Sequence, residues 1–188
     1  MYSLKAWQVP VGSRQSKGKP IVNLLPKLED GERIMATRPI TKAAGEHFLV
    51  FSTRAGIIKK TPLSAYANVR SRGLIAVGLE EGDQLVDVKL TDGNREIILA
   101  TRKGLAGRFD EGQVRPMGRP AHGVIGIRPE EGDEVVSMAI VTSDSLLLTV
   151  TENGYGKISV VGKKDAEDER DTYRKTNRGS KGVITIRT

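Results

Sequence analysis

Apolar residues along this chain fall in short runs and not in long helical stripes. Val86, Val88 and Leu90 alternate with Asp87 and Lys89, the period of a strand with one buried face. "EIILA" and "VVSMAIV" are short apolar runs rich in β-branched residues and bounded by Gly, Asp and Asn. Turn signals at "EGD", "TDGN" and "ENG" separate such runs. No segment keeps an apolar face for three helical turns, and "KTPLSAYANV" predicts at most a short helical turn or loop. The pattern predicts an all-β chain.

The strands recur. "FLVFSTRAGIIKK", "EIILATRKGLAGRF" and "LLLTVTENGYGKIS" each read as a strand, a glycine turn and a return strand, with turn glycines Gly56, Gly104 and Gly154 spaced 48 and 50 residues apart. "RSRGLIAVGLEEGDQLVDV" and "PAHGVIGIRPEEGDEVVSM" match at Gly73 and Gly123, and again at Gly82 and Gly132, 50 residues apart. A looser copy runs from Gly18 through "LEDGERI" to Ile34, and "GSKGVITIRT" begins another at Gly182. Two interleaved motifs at one period mark a repeat architecture. About four strands of ordinary length, with their turns, fill ~50 residues, which is a propeller blade. Such a blade cannot bury both faces alone, so neighbours stacked around an axis supply the core. The expected architecture is one repeat domain over residues 1–188, propeller-like, with four-stranded blades. It divides into a partial blade at about 1–18, repeats at about 19–72, 73–122 and 123–181, and the start of another at 182–188, an incomplete ring. The WD and kelch signatures are both missing: Trp7 precedes Gln8, and kelch's paired glycines and periodic aromatics are absent.

Charge follows the same period. The formal net charge is +7, from 30 Lys and Arg against 23 Asp and Glu. Segments 14–19, 69–73, 114–123 and 173–182, each leading into a glycine-headed strand, hold eleven of those cations and none of the acids. The rest of the chain carries more acids than bases. One basic loop is ordinary solvated surface; four at equivalent positions point to a polyanionic partner. Duplex nucleic acid presents its charge as a continuous track that suits a row of loops. Nothing reads base edges, so sequence preference should be weak. A duplex touching several loops on a convex rim must bend. Bending 20–30 base pairs by 40–90° costs on the order of 1–6 kcal/mol, which two or three basic loops can offset. The alternative is a propeller-like interaction scaffold whose basic rim meets an acidic protein.

Other chemistry finds little footing. There is no cysteine, hence neither a disulfide nor a thiolate metal site. "SRQSKGKP" is not a nucleotide loop, because five residues separate Gly12 from Gly18 and Pro20 follows Lys19 where a hydroxyl is needed. No run approaches the ~20 apolar residues of a membrane span, and no signal-like segment opens the chain, so a cytoplasmic protein with no membrane partner is expected. His47 and His122 stand outside any triad pattern, and the "EEGD" pairs read as polar turns, not metal sites. His122 is either a phosphate contact or, the favoured reading, a solvated turn residue. Trp7 and Tyr155 are expected to pack between blades. Residues 162–172, with three cations and five acids, read as an exposed insertion. No catalytic residue, metal or cofactor is expected.

"LKAWQVPVGSRQSKGKPIVNLLP", "FSTRAGIIKKTPLSAY", "VRPMGRPAHGVIGI", "TENGYGKISV" and "NRGSKGVITI" together closely resemble the C-terminal domain of the bacterial DNA gyrase A subunit, over practically the whole chain. The resemblance implies a β-pinwheel, a propeller-like disc of usually six blades that exchange strands and wrap double-stranded DNA around a basic rim. In that family the wrap presents DNA to the catalytic core for negative supercoiling. Carried onto this sequence, the rim cations are Arg14, Lys17, Lys19, Arg70, Arg72, Arg115, Arg119, Arg174, Arg178 and Lys181. Lys59, Lys60, Arg102 and Arg108, beside the glycine turns, are either weaker contacts or solvated strand ends. The family's QRRGGKG box is missing; "NRGSKG" at 177–182 is its nearest echo. The chain begins and stops inside a repeat, as a fragment would. The resemblance implies a parent ATP-dependent type IIA topoisomerase in a bacterial, nucleoid-associated cytoplasmic setting. Its implied partners are the gyrase B subunit, the rest of the gyrase A polypeptide, and DNA. The C-terminal domain of topoisomerase IV, with fewer blades and no box, is the alternative. Tyr2, Tyr66, Tyr155 and Tyr173 are none of them the DNA-cleaving tyrosine. Open blade edges also predict self-association or an unstable terminal blade.

Overall fold

The computed structural model describes residues 1–25, 28, 31–41, 46–70, 72–162 and 173–186. Three hairpins organise it: β1 (Phe48–Thr53) with β2 (Ile57–Pro62), β4 (Glu96–Thr101) with β5 (Leu105–Asp110), and β8 (Leu146–Val150) with β9 (Gly156–Val160). Each turns at a glycine with positive φ: Gly56 at 87°, Gly104 at 84° and Gly154 at 82°. A side chain is rarely tolerated in that conformation, which is why the repeat keeps Gly there. A single 3₁₀ turn follows the second strand twice, at Leu63–Tyr66, where "KTPLSAYANV" predicted a short helical turn or loop, and at Glu111–Gln113.

The remaining strands close the sheets from a distance. They are β3 (Leu85–Thr91), β6 (Val124–Ile125), β7 (Val135–Val141) and β10 (Val183–Ile184). The first sheet has the order β3-β1-β2-β6 and the second β10-β5-β4-β7; β8 and β9 pair with each other. All these pairings are antiparallel. The first sheet therefore draws β1 and β2 from one period, β3 from the next and β6 from the one after. Gly56 O accepts hydrogen bonds from both Gly126 N (2.8 Å) and Ile127 N (3.2 Å), fixing the incoming crossover strand against the hairpin turn.

Stacked sheets supply the core. Val50 and Ile58 of the first sheet pack with Ile97, Leu99, Phe109 and Met138 of the second. On the far face of the second sheet, Ile98, Ala106 and Val141 meet Leu147 of the third hairpin and Val161 just past it. Leu49, Phe51, Tyr66 and Ala76 fill a third cluster on the outer face of the first sheet. Each fully buried aliphatic side chain in these layers contributes about 1.5–3 kcal/mol. The "EEGD" segments are turns, as expected. Asp83 Oδ1 accepts Ala55 N (2.9 Å), and Asp133 Oδ1 accepts Lys103 N (3.0 Å), tying each turn to a hairpin tip.

Three sequence expectations need correction here. Val86 does not share a face with Val88 and Leu90. The register slips between Ser52 and Thr53, skipping Val86, and the bulge turns it towards the inter-sheet cluster while Val88 and Leu90 line the outer one. Trp7 is 82 % exposed and Tyr155 74 % exposed, not packed between blades. Trp7 lies in a 3₁₀ turn, Ala6–Gln8, with no buried residue. Tyr155 sits at the tip of a hairpin whose face carries the exposed Leu146, Leu148, Val150 and Ile158. The insertion at 162–172 falls, apart from Gly162, outside the described residues.

Candidate nucleic-acid interface

Loops 114–123 and 173–182 each follow the second strand of one hairpin, lie beside the second strand of the preceding hairpin and feed a crossover strand. Loop 114–123 makes a parallel bridge to β2 at Lys60 and Pro116, and Met117 N donates to Lys60 O (2.8 Å) before β6 pairs with β2. Loop 173–182 repeats this on β5: Lys175 bridges Arg108, Thr176 N donates to Arg108 O (2.7 Å), and β10 follows. Loop 69–73 takes the same place against Met1. The amino terminus donates to Leu74 O (2.9 Å), and Leu74 N donates to Met1 O (3.0 Å).

These three loops are stitched side by side. Gly78 N donates to Ala121 O (3.1 Å), joining the segment after the first loop to the second. Arg178 N donates to Gln113 Oε1 (2.8 Å) and Gly179 N to Gly126 O (2.7 Å), joining the third to the second. Segment 14–19 is not brought into the row: no hydrogen bond ties residues 11–19 to another part of the described chain.

Nine of the ten sequence-predicted rim residues are exposed: Arg14, Lys17, Lys19, Arg70, Arg72, Arg115, Arg119, Arg174 and Lys181. None of them forms an ion pair with a described carboxylate. Arg178 is half-buried, and its guanidinium donates to Gln113 O (3.2 Å) and Ile125 O, so it clasps the junction of two loops. His122 is exposed but engaged, with Nδ1 2.8 Å from Glu80 Oε1. The fourth cation of loop 173–182, Lys175, lies between Glu96 (2.6 Å) and Asp110 (2.7 Å), and its bonds to Asp110 and then Glu96 raise its pKa.

Three of the cations beside the glycine turns are neither contacts nor solvated strand ends. Lys60 is 4 % exposed; its Nζ donates to Glu111 O (3.1 Å), lies 3.7 Å from Glu111 Oε1 and stands 5.0 Å over the Phe48 ring. Arg108, at the equivalent place in the second sheet, is held by Glu96 (2.5 Å) and Tyr173 O (2.7 Å). Glu96 occupies the register position that Phe48 takes in the first sheet, so one buried cation meets a carboxylate and the other an aromatic face. Lys59 is 1 % exposed and donates to Ala76 O (2.6 Å) and Arg119 O; burial lowers its pKa to about 8. The fourth, Arg102, is exposed and pairs with Glu134 at 3.3 Å. The outward charge is thus carried by unpaired cations on the loops, while of the three buried cations Lys60 and Arg108 meet carboxylates and Lys59 meets only carbonyl oxygens.

Among the described residues, no cluster of three or more His, Asp or Glu is placed to hold a metal ion, and no helix is long and apolar enough to cross a membrane.

Comparison with known proteins completes the description. The family model described as "DNA gyrase C-terminal domain, beta-propeller" matches residues 1–41, 47–92, 95–142 and 145–188. The DNA gyrase A polypeptide of Haloquadratum walsbyi is 44 % identical over 100 % of this chain and 22 % of its own length. That of Escherichia coli is 41 % identical over 100 % of this chain and 20 % of its own length. The chain thus spans about a fifth of the curated relatives it matches. Among solved structures, the C-terminal domain of a DNA topoisomerase IV superposes with a TM-score of 0.76 at 34 % identity, covering 89 % of this chain and 49 % of that one. A DNA gyrase A C-terminal domain gives 0.73 at 25 % identity, covering 92 % and 54 %.

Proposed function

Because the chain belongs to the DNA gyrase C-terminal domain family, we propose that it binds duplex DNA without sequence preference and bends it along the row of basic loops. It serves, in this reading, as the wrapping domain of a type IIA topoisomerase of the gyrase kind. The observation that carries the reading is the hydrogen-bonded succession of loops 69–73, 114–123 and 173–182, whose Arg70, Arg72, Arg115, Arg119, Arg174 and Lys181 lack carboxylate partners among the described residues. Phosphate oxygens are the natural acceptors for such unpaired guanidinium and ammonium groups. Arg14, Lys17 and Lys19 extend the path if segment 14–19 is drawn in by the duplex.

The ATP-dependent chemistry belongs to the rest of the parent enzyme. Its partners in the cytoplasm are the gyrase B subunit together with the remainder of the gyrase A polypeptide. The single repeat domain of successive blades is the scaffold. A topoisomerase IV setting has a structural neighbour in its favour, but the relatives at 44 % and 41 % identity are gyrase polypeptides and favour gyrase. The apolar face of Leu146, Leu148, Val150 and Ile158 supports association between chains, which sedimentation would detect.

Fluorescence anisotropy with duplex DNA across a salt series tests the binding. Some 4–8 phosphate contacts give a logarithmic slope of about −0.9 for each contact. Changing Arg119 and Lys181 to Glu should flatten that slope. Absent or salt-insensitive binding would overturn the reading and favour an acidic protein partner.

A further inference from the structure

Lys59 has no counter-ion among the described residues, although it is 1 % exposed. Its Nζ donates to Ala76 O at 2.6 Å, in the segment that leaves the first loop of the row, and to Arg119 O in the second. The ammonium stands 5.3 Å over the Phe51 ring, and Tyr66 Oη donates to the same Ala76 O at 2.9 Å. A buried charge without an opposite charge is costly, and an apolar side chain of similar length would fill this space at less expense. The cation therefore needs a reason beyond packing. The second sheet has none at the matching register position: Gly107 lies opposite Leu99 as Lys59 lies opposite Phe51. There the next loop is clasped by Arg178 on Gln113 and Ile125.

We propose that Lys59 is a positioning residue for DNA binding, a brace that holds loop 114–123 at a fixed distance from the segment after loop 69–73. Arg115 and Arg119 then stand in register with Arg70 and Arg72 before DNA arrives. The brace acts through carbonyl oxygens of both segments and touches no phosphate itself. Its role in binding rests on the proposed function; the brace itself does not.

The test uses the whole chain with Lys59→Met and reads two quantities. Amide exchange at Gly78, whose N–H joins the two segments, and at Met117, whose N–H ties loop 114–123 to β2, should quicken at least about tenfold while Ile97 and Leu99 in the core keep their protection. Unchanged protection at Gly78 and Met117 refutes the brace whatever happens with DNA. In anisotropy, Lys59→Met should weaken binding about threefold to tenfold, the scale of losing part of one or two phosphate contacts. The same change should cost nothing further once Arg115 and Arg119 are both Ala, and should cost its full amount when Arg174 is Ala. Equal losses in every background would refute positioning. If the unaltered protein binds no DNA, the proposed function fails and the exchange data alone decide the brace. Should Lys59→Met not fold, Lys59→Gln, which keeps a shorter donor, replaces it with the same outcomes.

Discussion

Replacing Glu111 by Ala removes a carboxylate that is 0 % exposed and sits where the two sheets meet. Its Oε1 accepts the Thr91 hydroxyl at 2.6 Å, its Oε2 accepts Arg95 N at 3.2 Å, and Lys60 Nζ stands 3.7 Å away. Thr91 ends β3 and Lys60 lies in β2, whereas Arg95 leads into β4, so one side chain answers polar groups from both sheets. In the variant, Lys60 keeps only the backbone carbonyl of residue 111 and the Phe48 ring. Breaking one side of a buried ion pair costs about 3–5 kcal/mol, a figure that overlaps with the cost of the orphaned Thr91 and Arg95 groups. For a domain of this size each kcal/mol lowers Tm by roughly 2–4 °C, so calorimetry should find a drop of about 6–20 °C. Urea unfolding should move its midpoint without changing its slope. The double variant Glu111→Leu with Lys60→Met should recover at least half the loss, since an apolar pair avoids the desolvation cost. A Tm within about 3 °C of the parent for Glu111→Ala would refute the reasoning.

Other outcomes follow from single side chains. Gly104→Ala drives a Cβ into hard overlap with Ile186 O at φ 84°, whereas Gly154→Ala meets nothing within 4 Å at φ 82°. Both pay the left-handed strain of about 1–2 kcal/mol, but Gly104→Ala should lose well over that in urea titrations, and equal losses would contradict the close approach. Lys59 has a folded pKa of about 8 against an ordinary 10.5, so the unfolded chain holds more protons in between. Stability should therefore rise by up to about 3 kcal/mol as pH goes from roughly 8 to 10.5, and Lys59→Met should abolish the rise. Burial raises the Tyr66 pKa, so its contribution opposes this trend only above its ordinary value of 10.0. Lys181→Ala should reduce the salt slope of DNA binding by about 0.9 with Tm unchanged, while Arg178→Ala should lower Tm and spare the slope. The reverse pattern would show that Arg178 is the contact and Lys181 the clasp.

Much of the fold was legible because its signals are local. Gly56, Gly104 and Gly154 mark hairpin turns that only glycine adopts easily, and short apolar runs of strand length lie beside them. The pairing of β6 with β2 and of β10 with β5 was not legible from periodicity: two residues carry no pattern, and their partners lie in another repeat. Resemblance, not spacing, supplied strand exchange. The acid-free loops were equally plain in the sequence, yet Lys59, Lys60 and Arg108 could not be told from surface cations. Burial of a charge depends on acceptors such as Glu96, Glu111 and Arg119 O, which come from other elements. Trp7 and Tyr155 misled in the opposite sense, since hydrophobicity alone does not say whether a neighbouring layer arrives.

Strand exchange also sets a timetable during synthesis. β2 ends at Pro62, but the strand that seals it begins at Val124; β5 ends at Asp110 and waits for Val183. At about 5–20 residues per second, each nascent sheet stays open for roughly 3–15 s after its hairpin has formed. During that interval β2 and then β5 present free backbone groups on the ribosome. Lys59, Lys60 and Arg108 are the cations carried by those two waiting edges, and charged residues on an open strand discourage pairing with another chain. The cations that end up buried in the finished domain would thus serve first as guards of the unfinished one.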